Sequence, residues 1–343
     1  MTARARDYAV VPAPGVTGPH NAITDVAGVS VGQVTVRNPP NIHSGVTAIV
    51  SDGVGPGTPV TAGAHVGNGF GKLIGYTQLV ELGQIESPII LTSTLSAFRA
   101  ADAVVEWMLR QPDRREVTTF NPVVGECNDG YLSDIRARPV TAEHVITAIE
   151  SAQGGPVEMG CVGAGTGTGA LGFKAGIGSA SRVVDVAGRS VTVGGLVQAN
   201  FGGTLRIGGE LIEAPGSSAS SPDAESPDTA PPDAGSCMLV LATDAGLDAR
   251  QLNRLAARAV FGLGRVGASY SHGSGDYAIA IDTAPSAGIL DESLNPLFLA
   301  AMDLVEEMVL ESLIAAVATA GHRNRTLPGL TDSPAWRSYL SGR

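Results

Sequence analysis

The chain has 343 residues, of which 43% are hydrophobic, and it carries a net charge of −11 at pH 7. This length and composition are those of a globular protein with a core of ordinary size, in one large or two smaller domains. The Lys and Arg residues form no basic cluster, which argues against a nucleic-acid partner because binding to a phosphate backbone needs a positive patch.

Short β-type runs separated by glycine make up most of the chain before residue 213. These runs are VSVGQVTV (29–36), GVTAIVSDG (45–53), SPIILTST (87–94) and SVTVGGLVQANFGG (190–203). Each is bounded by turn residues, as strands usually are. One helix is predicted among them, at residues 97–111, from apolar residues at helical spacing: Ala100, Val104, Trp107 and Met108.

A glycine-rich stretch at residues 167–172, GTGALG, satisfies the GxGxxG pattern of dinucleotide-binding loops. The residues that follow it, FKAGIGSASR, contain further glycines and no helical periodicity. We therefore predict close-packed, turn-rich sheet here and no nucleotide site.

Residues 213–235, EAPGSSASSPDAESPDTAPPDAG, contain no apolar residue larger than alanine. Such a segment cannot offset its ordering entropy by burial, so it is predicted to be a mobile surface segment. One interpretation is a linker between two domains. The other is a single composite domain over residues 1–343, which we favour because the residues after the segment cannot cover a sheet alone.

The part of the chain after this segment predicts strand, helix, strand and helix. The strands are CMLVLAT (237–243) and YAIAIDT (277–283), and the helices are residues 248–263 and the apolar segment from Leu294. Asp248 and Gln251 are spaced as in a capping box. Four acidic residues in the last segment exclude a membrane span.

Cysteine and histidine usage predicts neither a metal site nor a disulfide framework. Cys127, Cys161 and Cys237 and the six histidines are scattered, without metal-ligand spacing. We expect buried thiols, no metal and no cofactor. The first residues also lack the apolar run of a secretory signal, so we expect a cytoplasmic protein.

The junction of Gly235 and Ser236 raises a chemical question, because a polar segment there meets an apolar strand directly. A serine hydroxyl needs a base, and a cut before Ser236 would create an α-amine with a pKa of about 7.7–8.0. Gly235 has no side chain to obstruct attack on its carbonyl. The alternative is a surface serine without a role. His272 is interpreted as a bystander, since no GxSxG elbow accompanies it.

Six segments resemble the DmpA-type family, which includes L-aminopeptidase/D-Ala-esterase/amidases and β-peptidyl aminopeptidases. They occur in the family's order: NAITDVAGVSVG (21–32), VVGECNDGYLSDI (123–135), GCVGAGTGTGALGFKAGIGSASR (160–182), GGLVQANFG (194–202), GSCMLVLATDAGL (235–247) and GSGDYAIAIDT (273–283). The resemblance implies an αββα four-layer sandwich similar to N-terminal nucleophile hydrolases. It also implies self-cleavage between Gly235 and Ser236 into an α chain (1–235) and a β chain (236–343), and a homo-oligomer.

The resemblance also assigns roles to individual residues. It implies that Ser236 is the nucleophile and that Ser274 and Asp276 bind the new ammonium of Ser236. The alternative for Ser274 and Asp276 is an ordinary turn before a strand. Asn200 would bind the oxyanion, unless it is only a turn residue.

Two further residues take roles from the family pattern. Tyr131 would contribute a phenolic hydroxyl near the oxyanion, and its alternative is a buried structural tyrosine. Glu126 would receive the free amine of the substrate, and its alternative is a surface salt bridge.

The implied activity is that of an aminopeptidase or amidase acting on short peptides, amides or esters through an acyl-enzyme. Two alternatives stay open: an endo-type amidase for linear oligoamides, and a non-catalytic ligand-binding protein of the same fold. In LTSTLSAF, Leu95 and Phe98 depart from the polar pattern of the family. The substrate preference is therefore expected to differ from that of well-known members.

Overall fold

A computed structural model describes residues 3–215, 235–285 and 288–342. Most of the predicted mobile segment, 213–235, lies outside the described residues. The helices are α1 (Tyr76–Leu82), α2 (Ala97–Arg110), α3 (Ala142–Glu150), α4 (Ala249–Arg265), α5 (Asn295–Ile314) and α6 (Pro334–Ser341).

The strands follow the same chain order. They are β1 (Val29–Asn38), β2 (Ile42–Ser51), β3 (Val60–Gly69), β4 (Leu73–Ile74), β5 (Gln84–Ile85), β6 (Ile89–Ser93), β7 (Val123–Cys127), β8 (Gly169–Ala170), β9 (Phe173–Lys174), β10 (Ile177–Val186), β11 (Arg189–Asn200), β12 (Leu205–Ile207), β13 (Glu210–Ile212), β14 (Ser236–Thr243), β15 (Gly275–Asp282), β16 (Thr319–Ala320) and β17 (Thr326–Leu327).

Most predicted elements are present, but the expectation of a single helix before residue 213 is wrong. Besides α2, the structure contains α1 and α3 in that region. These helices have seven and nine residues, about two turns each, which is too short for a clear periodic pattern. The predicted capping box of α4 is confirmed, since the Gln251 N–H donates to the Asp248 carboxylate over 2.7 Å.

Two sheets carry the fold. One has five strands in the order β1-β2-β6-β7-β4, and the other has six in the order β10-β11-β14-β15-β3-β5. Strand β14 lies between β11, to which it is antiparallel, and β15, to which it is parallel. The first strand after residue 235 is thus inserted between a strand that precedes it by sequence and one that follows it.

The sheets stack face to face, with helices on both outer faces. Apolar side chains of both sheets share the central layer, among them Leu91, Val123, Met238 and Val240. Helices α2 and α3 cover the outer face of the five-stranded sheet through residues such as Val104 and Val145. Helices α4 and α5 cover the six-stranded sheet through residues such as Leu252 and Leu304. The predicted αββα four-layer sandwich is confirmed.

The cysteine prediction is also confirmed, because Cys127, Cys161 and Cys237 are free and buried. The GxGxxG segment continues into strands β9 and β10 and opens no helix, as predicted from its lack of periodicity. Within the described residues, no helix combines the length and apolar character needed to cross a bilayer.

Candidate active site

Strand β14 begins at Ser236, between the two strands that bring the other predicted site residues. Ser236 lies opposite Asn200 in β11 and opposite Gly275 in β15. Because side chains alternate along a strand, Ser236 faces the same side as Met238, which belongs to the layer between the sheets. The hydroxyl and the Asn200 side chain therefore project from one face of the sheet.

Residue 235 is held where only glycine fits. A Cβ on Gly235 would lie 2.1 Å from the carbonyl oxygen of Asn200 and 2.5 Å from the Cα of Phe201. The Gly235 carbonyl oxygen accepts a hydrogen bond from the Gly275 N–H over 3.1 Å. The carbonyl next to Ser236 is thus fixed in place and already has a donor on its oxygen.

Ser274 and Asp276 form a hydrogen-bonded pair at the start of β15. The Ser274 hydroxyl donates to Asp276 Oδ1 over 2.8 Å. Asp276 Oδ2 is buried and has no hydrogen-bond partner among the residues that the structure describes. Burial raises the pKa of Asp276 to about 6, while the Ser274 hydrogen bond opposes this rise.

The acidic pair and the serine hydroxyl lie on opposite faces of the six-stranded sheet. Asp276 is in register with Cys237, which belongs to the core under α4 and α5. The backbone nitrogen of Ser236 lies in the plane between the two faces.

The carboxamide of Asn200 has a fixed orientation. Its Oδ1 accepts a hydrogen bond from the Gly169 N–H at the start of β8, over 3.2 Å. The amide nitrogen Nδ2 therefore points away from β8, as a donor beside the strand end that carries Ser236. Asn200 is buried, so this donor acts in surroundings of low polarity.

Strand β7 of the five-stranded sheet packs against the start of β14 from across the central layer. The Cys127 thiol lies 3.3 Å from the Ser236 carbonyl oxygen, and burial raises the pKa of this thiol well above its ordinary value. A Cβ on Gly125 would lie 2.3 Å from the Met238 Cε. The absence of a side chain at Gly125 thus permits the close approach of the two sheets.

Glu126, between these two residues of β7, is buried at 2% exposure. Its Oε1 accepts the Lys72 backbone N–H over 2.9 Å and lies 3.5 Å from the Lys72 ammonium. Its Oε2 accepts the Thr94 hydroxyl. The buried carboxylate thus has a cationic partner, Lys72, whose side chain reaches the protein surface.

The two departures from the family pattern follow in sequence the threonine that donates to this carboxylate. Leu95 and Phe98, which follow Thr94, are 42% and 66% exposed. Both side chains are thus exposed apolar groups at the protein surface.

Tyr131 is on the turn after β7, half-buried, with the Arg325 guanidinium 5.2 Å from its ring centre. Nearby Asp129 anchors this turn by accepting the hydroxyls of Ser44 and Ser93 over 2.7 and 2.8 Å. No hydrogen bond joins Tyr131 to Ser236 in the described part of the chain. The role of Tyr131 near the oxyanion stays a prediction.

Several groups that contribute to the candidate site could not be predicted from the sequence. The Gly275 N–H and the Cys127 thiol carry no recognisable pattern, because a backbone donor and a buried thiol depend on tertiary contacts. The glycine stretch that holds Asn200 belongs to one of the six segments of the family resemblance, but its contact with Asn200 has no signal in the sequence. His272, interpreted as a bystander, is exposed and its ring lies 6.0 Å from that of Phe70.

Comparison with known proteins identifies the family of the chain. The model of peptidase family S58 matches residues 21–327. The chain is 39% identical to the β-peptidyl aminopeptidase BapA of Sphingosinicella microcystinivorans, over 95% of this chain and 89% of that protein.

Solved structures are similar over nearly the whole chain. The L-aminopeptidase D-Ala-esterase/amidase from Ochrobactrum anthropi, described as a variant of the Ntn hydrolase fold, gives a TM-score of 0.85 at 38% identity, covering 99% of this chain and 98% of that one. A Burkholderia sp. β-aminopeptidase gives a TM-score of 0.82 at 34% identity, covering 98% of both chains. The resemblance to the DmpA-type family is confirmed, and the chain belongs to peptidase family S58.

Proposed function

We propose that this peptidase cuts its own chain between Gly235 and Ser236 and then removes N-terminal residues from short peptides, amides or esters. The relatives named above are β-peptidyl aminopeptidases and an aminopeptidase with esterase and amidase activity. The nucleophile is Ser236, and the products of self-cleavage are an α chain, 1–235, and a β chain that starts with Ser236.

Self-cleavage begins with attack of the Ser236 hydroxyl on the Gly235 carbonyl carbon. The ester C–O bond forms and the C–N bond breaks, and the nitrogen takes the proton of the hydroxyl and leaves as the amine of Ser236. Water then hydrolyses the ester. The observation that carries this step is the 3.1 Å hydrogen bond from the Gly275 N–H to the Gly235 oxygen, because that donor already faces the oxygen on which negative charge develops.

The new amine is the base for later turnovers. An α-amine has a pKa of about 7.7–8.0, so its neutral form is available near neutral pH to take the proton from the hydroxyl of the same residue. The buried Asp276 Oδ2, which lacks a hydrogen-bond partner among the described residues, supports a role for Ser274 and Asp276 in binding that ammonium.

Substrate binding and catalysis use both sheets. The Glu126 carboxylate receives the free amine of the substrate, which sets the distance from the chain end to the scissile carbonyl. Asn200 Nδ2 donates to the oxyanion, and Tyr131 adds its hydroxyl to the same region. Ser236 forms the acyl-enzyme and the leaving amine takes the proton held by the Ser236 amine. Water then releases the acid.

N-terminal analysis of the purified protein tests the proposal. The wild type should separate into two chains, the smaller one starting at Ser236, whereas Ser236→Ala should stay a single inactive chain of about 35 kDa. Ser312→Ala is a matched control, because this buried serine lies on α5, outside the site, and should cleave normally. Turnover by protein in which Gly235 and Ser236 are still joined would refute the mechanism.

A second assay separates the exo mode from the endo-type amidase alternative. A free-amine substrate and its N-acetylated equivalent should differ strongly in kcat/KM if Glu126 binds the amine. Equal rates would favour the endo-type amidase, and no turnover of either substrate would favour a ligand-binding protein.

We also propose that the two-chain unit forms a homo-oligomer in the cytoplasm. The family pattern supports the homo-oligomer, and the three unpaired buried thiols support a reducing compartment. Light scattering of the processed protein tests the assembly, and cell fractionation tests the location.

A further inference from the structure

Lys174 is an ammonium enclosed in the glycine-rich segment that the proposed mechanism does not use. It lies on β9 and is fully buried, at 0% exposure. Its Nζ donates to the carbonyl oxygens of Thr168 over 2.7 Å, Gly165 over 3.1 Å and Ala175. Full burial lowers the pKa of Lys174, and an interaction with the Cys161 side chain opposes this fall. No carboxylate pairs with Lys174 within the described residues, so the three backbone carbonyls and Cys161 are the groups that stabilise its charged form.

One of these carbonyls belongs to the peptide group that holds Asn200. The Thr168 C=O accepts from Lys174, and the N–H of the same peptide, on Gly169, donates to Asn200 Oδ1 over 3.2 Å. The ammonium, one peptide group and the carboxamide thus form a continuous chain of two hydrogen bonds. The chain ends at Asn200 Nδ2, the proposed oxyanion donor.

We propose that Lys174 is a positioning residue that strengthens the oxyanion donor of Asn200 through the Thr168–Gly169 peptide. This inference rests on the proposed role of Asn200. A cation on the peptide oxygen draws electron density from the peptide, which makes its N–H a stronger donor. That donor in turn polarises the Asn200 carboxamide, so the Nδ2 hydrogens carry more positive charge. In this buried region water does not screen the effect.

The surroundings keep this chain rigid. The Lys174 N–H donates to the Pro328 carbonyl over 2.8 Å, and the Leu171 N–H donates to the Phe201 carbonyl over 2.9 Å. The second contact ties the turn between β8 and β9 to the residue directly after Asn200. The distance from the ammonium to the carboxamide is therefore fixed by the backbone on both sides.

This chain of two hydrogen bonds from Lys174 to Asn200, which we call the relay, predicts a specific kinetic signature. An oxyanion donor acts on charge that develops only in the transition state, so its weakening lowers kcat and leaves KM nearly unchanged. Self-cleavage should proceed normally, because the Gly235 carbonyl takes its hydrogen bond from Gly275 and not from Asn200. A variant with only a less stable core would be impaired in both reactions, substrate turnover and self-cleavage. Loss of the relay should impair turnover alone.

The experiment compares Lys174→Met with wild type, alone and in an Asn200→Ala background. Loss of an oxyanion donor typically costs about a hundredfold or more in rate, so we expect Lys174→Met to lower kcat by about tenfold, with KM within twofold and self-cleavage complete. In the Asn200→Ala background the same substitution should change kcat by less than twofold, because the two residues act as one unit. An equal loss in both backgrounds, or an unchanged kcat in the single variant, would overturn the inference.

Two further variants keep the result decisive. Phe173→Leu creates a core defect at the neighbouring buried position and should lower the melting temperature with kcat unchanged. If Lys174→Met does not fold, Lys174→Gln, which retains hydrogen-bond donors but no charge, should show the same loss of kcat, and wild-type kcat would overturn the inference. If Asn200→Ala alone retains full activity, the proposed oxyanion role fails, which is a result distinct from failure of the relay.

Discussion

Replacing Asp276 with asparagine in the uncleaved Ser236→Ala protein should change how stability depends on pH. In that protein no terminal ammonium forms beside the carboxylate. Burial raises the pKa of Asp276 from 3.8 to about 6, so the folded state keeps a proton that the unfolded state releases between these values. Stability from this group is therefore present below pH 4 and is lost as the pH rises to about 6.

The size of the effect follows from the two pKa values. A rise from 3.8 to about 6 corresponds to about 3 kcal/mol of unfavourable ionisation at neutral pH. The carboxamide introduced by Asp276→Asn cannot ionise, and its oxygen can still accept the Ser274 hydroxyl. The free energy of unfolding of Asp276→Asn, relative to its parent, should thus increase by about 3 kcal/mol between pH 4 and pH 8.

Urea unfolding at several pH values, followed by circular dichroism, measures this difference. The comparison is made at constant ionic strength, so that long-range charge effects are the same in both proteins. Burial also raises the pKa of Asp282 to about 6. Asp282 is present in both proteins, so its contribution cancels in the difference between them. Parallel stability curves for the two proteins across this pH range would refute the reasoning, since they would mean that Asp276 ionises in the folded protein without penalty.

Three further predictions address the reaction itself. Gly235→Ala should abolish or strongly slow self-cleavage, because its Cβ would lie 2.1 Å from the Asn200 carbonyl oxygen; a gel of freshly purified protein checks this, and normal processing would contradict it. Glu126→Gln should lower kcat/KM for free-amine substrates by about ten- to a hundredfold, as expected for loss of a buried charge partner, with N-acetylated substrates unaffected. Tyr131→Phe should lower kcat by about tenfold without preventing cleavage; wild-type kcat would leave Tyr131 a structural residue.

Local patterns were sufficient for the main elements, whereas most candidate site residues came from the resemblance to a known family. The alternation around residues 29–36 and 190–203 and the helical spacing of α2 and α4 come from short-range rules, because each strand or helix buries one face. Short helices such as α1 and α3 were missed, since two turns hold too few apolar residues to show a period. The family pattern named Ser236, Asn200, Ser274, Asp276 and Glu126 without their geometry.

The amino-acid sequence by itself determined the main strands and the longer helices, and which residue types are available for chemistry. Only the tertiary structure decided which of them meet: Gly275 over the Gly235 carbonyl, Cys127 against Ser236 from the other sheet, and Lys174 behind Asn200. These contacts join residues far apart in the chain, and several involve backbone atoms that every residue possesses. A linear pattern carries no signal for such contacts, because they exist only once the two sheets have paired and stacked.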